Sequence, residues 1–141
     1  MLTGINIYET KPYRSKLDKD KEAQSVFHIC PIDAHLRAYI DDQTTSFEIS
    51  SNNPKDKAKA SVASSKRNIL FVKFGLKGLE CYLDPRDSKP VKFDTVSTPV
   101  GGKNYNVVTD EIIAIFPKVL IDELAEVISG ENALSEEGRK N

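Results

Sequence analysis

The sequence predicts an α+β fold: a mostly antiparallel sheet, a short helix after the second strand, and a pair of helices at the C-terminal end. Three observations predict it. Short segments with apolar residues at every second position recur between turn-rich stretches, the pattern of half-buried strands. Two helices follow the last strands at the end of the chain, where they can pack against a sheet or a partner. Gly101-Gly102 separates two strand-like segments, as a tight hairpin requires.

The elements follow in order. Ile5 and Ile7 alternate with Asn6 and Tyr8, so Thr3–Glu9 is expected as a short edge strand. Thr10–Gln24 is crowded with charge, with only Tyr13 and Leu17 as large apolar residues, and reads as a solvated arm able to reach a neighbour. Ser25–Ile32 is a second strand, ended by Pro31, which has no N–H for a central ladder. Asp33 can cap a helix over Ala34–Asp41, where Leu36 and Ile40 stack four apart. Thr45, Phe47 and Ile49 alternate and predict a strand over Thr44–Ser50. Residues 51–67 are small, polar and basic, and form either a loop or a short exposed helix over Pro54–Ala63.

Asn68–Leu83 is the most apolar continuous stretch. Ile69–Phe74 reads as a buried central strand. From Leu76 the spacing of Leu76, Leu79, Cys81, Tyr82 and Leu83 turns helical, with Gly75 and Gly78 at a tight turn or close approach. Asp84–Pro90 is a turn-rich connector. The hairpin is expected over Pro90–Val108, with Pro99 disturbing its first arm. Thr109 or Asp110 caps a helix ended by Pro117. A second helix over Pro117–Ser129 carries Leu120, Ile121, Leu124, Val127 and Ile128, and Gly130 is its stop signal. The result is an N-terminal strand and charged arm (1–24), a single domain (25–130) with a basic loop at 51–67, and a polar tail (131–141).

Composition narrows the function. With 20 basic and 21 acidic residues the net charge is −1, so no global field draws the chain to nucleic acid or an anionic membrane, and neither is expected as a partner. No window approaches the roughly 18 apolar residues of a membrane span. The first residues lack a basic stretch followed by an apolar run, so a reducing compartment is expected, with Cys30 and Cys81 as buried free thiols. His28 and Cys30 share one strand face, with His35 not far on, but no further zinc ligand stands at standard spacing. Gly75-Leu-Lys-Gly78 lacks the phosphate-loop pattern, and the paired carboxylates Asp41-Asp42, Asp110-Glu111, Asp122-Glu123 and Glu136-Glu137 look solvated. No catalytic residue, metal or cofactor is expected, and the chain is read as a non-enzyme.

Contact surfaces remain. Lys55, Lys57, Lys59, Lys66 and Arg67 make the middle basic against Asp56 alone. That run has no aromatic residue on which bases could stack. Asp122, Glu123, Glu126, Glu131, Glu136 and Glu137 make the C-terminal region acidic against Lys118, Arg139 and Lys140, which motivates head-to-tail contact between copies. The candidate partner-binding residues are Tyr13 and Leu17 on the arm, those five basic residues, and Leu134, Glu136, Glu137, Arg139 and Lys140 on the tail.

Five segments carry a resemblance: Phe74-Gly-Leu-Lys-Gly-Leu79, Pro90-Val-Lys-Phe-Asp-Thr-Val96, Gly101-Gly-Lys-Asn-Tyr-Asn-Val-Val-Thr-Asp-Glu111, Phe116-Pro-Lys-Val-Leu-Ile-Asp-Glu-Leu-Ala-Glu-Val-Ile128, and Asn132-Ala-Leu-Ser-Glu-Glu-Gly-Arg-Lys-Asn141. In this order the chain resembles small proteins of the morphogenesis modules of tailed bacteriophages, some of them tail assembly chaperones and others virion structural proteins. The similarity spans roughly Ser25–Asn141. It implies a binding role toward other virion or tail proteins, in symmetric copies or as a homo-oligomer, in the virion or the host cytoplasm. It brings no catalytic residues with it. The alternative is a small cytoplasmic regulator or counter-defence protein that binds a host factor or a small ligand.

Overall fold

The computed structural model describes residues 1–45 and 54–132, with the backbone alone at 45, 54–63 and 131–132. The fold is α+β, but its strands form two small antiparallel sheets rather than one. The elements are β1 (Lys11–Arg14), β2 (Val26–Ile29), α1 (Ala34–Thr45), α2 (Pro54–Gly75), β3 (Leu76–Glu80), β4 (Thr95–Val100), β5 (Lys103–Val108), α3 (Asp110–Ala114) and α4 (Lys118–Asn132). The first sheet has the order β1-β2-β3, and β4 pairs with β5 in the second.

The largest correction falls on the apolar stretch. Ile69–Phe74 is not a strand but the last turns of α2, and the segment from Leu76 is a strand instead of a helix. A short apolar run cannot be assigned by periodicity alone. What decides it is the Lys/Ala-rich run upstream, which has high helix propensity and Pro54 at the first helical position. Of the two readings of residues 51–67, the helix holds from Pro54 onward, against the basic loop, and it runs on to Gly75 instead of stopping at Ala63. Leu76 and Leu79 are both buried although three apart, because a bulge between His28 and Ile29 leaves Lys77 without an opposite residue and shifts the alternation.

Other boundaries move as well. Thr3–Glu9 forms no strand, and β1 arises inside the charged arm. Asp33 caps α1 as expected, its Oδ1 accepting the Leu36 N–H at 2.8 Å. The helix continues to Thr45, so Thr44 and Thr45 are helical rather than the start of a strand, and the remainder of that expected strand lies outside the described residues. Helix α4 passes Gly130 and ends at Asn132. Cys81 is exposed, not buried, at a left-handed φ of 58° just after β3, and both thiols are free.

Helix α2 is the hub. Its apolar end, with Phe71, Val72 and Phe74, is buried against Leu124, Ala125 and Ile128 of α4 and the rest of the core. Polar ties bind it to each neighbouring helix: Arg67 to Asp41 of α1 (2.9 Å), Asn68 to Asp122 of α4 (2.9 Å) and Lys73 to Asp110 of α3 (3.0 Å). The aromatic rings form two edge-to-face groups, Phe27 with Tyr82 and Phe116, and Phe74 with Tyr39 and Tyr105.

The hairpin β4–β5 turns at Gly101 (φ 58°) and Gly102 (φ 81°), both positive as a two-residue type I′ turn requires. Val100 and Lys103 flank the turn, so pairs alternate from there and Pro99–Asn104 falls in a non-hydrogen-bonded slot. Pro99 therefore does not disturb the first arm. No atom lies within 4 Å of a Cβ added at Gly102, so Gly102→Ala is opposed by the backbone alone. We expect it to lower stability by about 1 kcal/mol, read as a fall in the urea midpoint at unchanged slope.

Candidate functional site

Among the described residues, one groove beside α1 and another beside α4 present side chains to solvent. The first lies between α1 and the hairpin, with a volume of about 680 Å³, and is lined by His35, Tyr39, Asp42, Val100, Lys103 and Tyr105 among others. Its wall is fixed by Asp33, whose Oδ2 accepts the Tyr105 hydroxyl at 3.0 Å and lies 3.8 Å from the Lys103 ammonium. Burial alone would raise Asp33. The Leu36 N–H, the Tyr105 hydroxyl and the nearby Lys103 and His35 charges outweigh it and hold the carboxyl below its usual range. The same hydrogen bond, after burial itself, helps push the Tyr105 phenol up. The Lys103 ammonium sits 5.0 Å from the Tyr105 ring centroid, a cation–π distance.

The second groove, of about 350 Å³, lies where the loop after β1 meets the end of β3 and the start of α4. Phe27, Tyr82 and Leu120 supply its apolar surface, and Leu17 and Leu83 line it while 53% and 57% exposed. The charged arm expected to be solvated is folded here by its own aspartates. Asp18 accepts the N–H groups of Ser25 (2.8 Å) and Asp20 (3.0 Å), and these backbone bonds lower its pKa. Asp20 accepts those of Glu22 and Ala23 in turn.

One carboxylate holds this arm to the helices. Glu123 of α4 accepts the Tyr13 hydroxyl (2.6 Å), the Ser15 hydroxyl (2.6 Å) and the Lys16 N–H (2.9 Å). Burial works to raise its pKa, yet the bonds from Ser15, Tyr13 and Lys16 prevail and hold it low. Burial, followed by the bond to Glu123 and its charge, pushes Tyr13 up to about 12. This clamp joins residues more than a hundred positions apart, and no local pattern announces it.

The residues proposed from sequence are thus dispersed. Leu17 lines the second groove, whereas Tyr13 is half-buried and engaged by Glu123. Lys66 is exposed on α2. Arg67 is bound to Asp41, with its guanidinium 4.8 Å from the Phe71 ring centroid. Lys55, Lys57 and Lys59 sit on α2 with only their backbone described, and Leu134, Glu136, Glu137, Arg139 and Lys140 lie outside the described residues. Two members of the acidic C-terminal region are occupied internally, Glu123 by the arm and Asp122 by Lys118 and Asn68.

Sequence reasoning missed Leu83, Tyr82 and Cys81 as surface residues because their spacing resembled a helix. The available signal was Asp84-Pro-Arg-Asp, which ends the element before it can continue. Residues His28 and Cys30 have separate roles. The His28 Nε2 lies 2.8 Å from Glu80 across the sheet, and the buried Cys30 thiol donates to the Ile7 carbonyl at 3.2 Å. Among the described residues no group of three or more His, Cys, Asp or Glu is placed to hold a metal ion, and no helix is long and apolar enough to cross a membrane. No protein-family model, curated protein or solved structure matches the chain.

Proposed function

We propose that this chain is a non-enzymatic morphogenesis protein of a tailed bacteriophage, acting through protein–protein contacts as a tail, neck or capsid component or as a tail assembly chaperone, in the virion or the host cytoplasm. The sequence resemblance motivates the reading. The observation that carries it is the second groove, where Leu17 and Leu83 are held half in water beside the apolar surface of Phe27, Tyr82 and Leu120. Completing the burial of two half-exposed leucines contributes about 1 kcal/mol each, a contact worth roughly a tenfold or greater gain in affinity. The Glu123 clamp and the Asp18 and Asp20 turns hold this surface in shape before a partner arrives, which reduces the ordering cost of binding.

Mass spectrometry of purified particles and of tail assembly intermediates tests the reading. Abundance in finished particles identifies a structural component, and recovery with intermediates alone identifies a chaperone. Absence from both, with particle yield unchanged when the protein is removed, overturns the reading. Combining Leu17→Asp with Leu83→Asp is expected to lower recovery with other phage proteins at least tenfold while leaving the far-ultraviolet circular dichroism unchanged.

The first groove favours a second reading, a regulator or counter-defence protein that binds a host factor or small ligand. Its volume of about 680 Å³ falls within the range of small-molecule sites, and Lys103, His35 and Asp42 converge there with two tyrosine rings. Loss of a host-factor or ligand interaction in Lys103→Ala, with phage yield intact, would support that reading over the first.

A further inference from the structure

We infer that the N-terminal segment of one copy docks into the Leu17–Leu83 groove of a second copy, so that the protein associates head to tail. The inference rests on the assembly reading and names the partner of the same groove.

Residues 1–8, Met-Leu-Thr-Gly-Ile-Asn-Ile-Tyr, carry no charged side chain. Among the described residues, four of the eight large exposed apolar side chains belong to this segment: Met1, Leu2, Ile5 and Tyr8, with Leu2 at 96% and Tyr8 at 88%. Two of the other four are Leu17 and Leu83 of the groove. An exposed apolar peptide and an apolar groove thus occur in one molecule, and none of residues 1–8 lines the groove of its own chain.

Their placement determines the kind of contact. The Cys30 thiol bonded to the Ile7 carbonyl fixes the base of the segment beside the Ile29 end of β2. The groove is built around Ser25, Cys81 and Leu83, beyond the Val26 end, where β2 pairs with Arg14 and Glu80. The length of β2, roughly 13 Å for four residues, separates the two. Donor and acceptor at opposite ends of one sheet make an interface that is not self-complementary, and such an interface propagates into rings or filaments. Burying the four side chains removes on the order of 600 Å² from water on the donor side, against about 800 Å² per partner in a standard interface. A single junction is therefore of modest strength, and closure of a ring strengthens it by linking several.

Sedimentation and light scattering test this with two double variants, all four substituted side chains being solvent-exposed. Leu2→Asp with Tyr8→Asp disables the donor, and Leu17→Asp with Leu83→Asp disables the acceptor. The wild-type chain is expected to exceed its 15.7 kDa monomer mass as concentration rises. Each variant alone stays monomeric, and an equimolar mixture gives a dimer and nothing larger, because one intact segment meets one intact groove. Serine in place of aspartate serves the same test if charge disturbs the fold. A monomeric wild type, wild-type assembly by either variant, or a mixture that stays monomeric overturns the inference, including the case of a segment that folds back onto its own groove. A monomeric chain recovered in phage particles defeats the inference and leaves the assembly reading standing; a head-to-tail oligomer found in no particle or intermediate does the reverse.

Discussion

Gly75→Val is expected to unfold most of the protein at urea concentrations the wild type withstands, with a loss of about 3 kcal/mol or more. Gly75 closes α2 where that helix meets α4. A Cβ at this position would fall 2.6 Å from Cγ2, 2.9 Å from Cδ1 and 3.1 Å from Cγ1 of Ile128. Ile128 is fully buried, so it has no solvent into which to retreat. The φ of Gly75 is not positive, so backbone freedom is not the reason for glycine here; closeness is. Gly75→Ala is expected to lose about 1–2 kcal/mol by the same clash, with its better helix propensity as a partial offset. Ile128→Ala removes all three opposing atoms and leaves a cavity worth about 2–5 kcal/mol by itself. The combination Gly75→Ala with Ile128→Ala should be more stable than the sum of the singles predicts, by about 1 kcal/mol. Additivity, or a wild-type midpoint for Gly75→Val in urea unfolding, would show that the helices do not approach this closely.

Glu123→Ala is the second large effect. It removes the acceptor of the buried Ser15 hydroxyl, the Tyr13 hydroxyl and the Lys16 N–H together, and we expect a loss of about 2–3 kcal/mol concentrated in the arm. Limited trypsin digestion reads it directly: cleavage after Lys16, Lys19 and Lys21 should accelerate, while the core resists. Glu123→Gln keeps one acceptor oxygen and should fall between. The pH dependence follows from both partners. Glu123 sits below its ordinary value of 4.5 in the folded chain, so its contribution is complete above that pH and is lost as pH falls through the lower folded value. Tyr13 is raised from 10.0 to about 12, so its contribution is present below pH 10 and is lost as pH climbs toward 12. The arm should therefore hold between these limits and loosen at either extreme. Absorbance titration should show one tyrosine near 12 in the wild type, falling toward 10 in Glu123→Ala. An arm equally resistant to trypsin in the variant would mean that β1 pairing alone retains it.

How much of this was legible in the sequence depends on where the information lay. The Asp33 cap, the Gly101-Gly102 turn and the two C-terminal helices are set by residues within a few positions of each other, and the sequence displays them. The α2 and β3 assignments were exchanged because each rests on something outside its own window. For α2 it is the helix-forming Lys/Ala run upstream, and for β3 the bulge opposite His28, which lets Leu76 and Leu79 face the core at helix-like spacing. The second groove was half visible. Leu17 stands out as an apolar residue in a polar arm, but Leu83 reaches it only through the sheet, and Glu123 acts across 107 or more positions. Charge segregation pointed to the acidic helix as an outer surface, whereas two of its carboxylates are used to close the fold.

Pro99 has a consequence for the edge of the second sheet. The outward slots of β4 are Thr95, Ser97 and Pro99: the Thr95 N–H is taken by Asp94 at 2.8 Å, and proline has none to offer, which leaves Ser97 alone. In the first sheet the edge strand β1 carries Pro12, which likewise has no N–H to donate. The edge strands β1 and β4, each carrying a proline, are thereby poor templates for another strand, which disfavours backbone zipping between copies along these two edges. Association along these two edges must then be chosen by side chains, which can be specific about their partner where a bare backbone cannot.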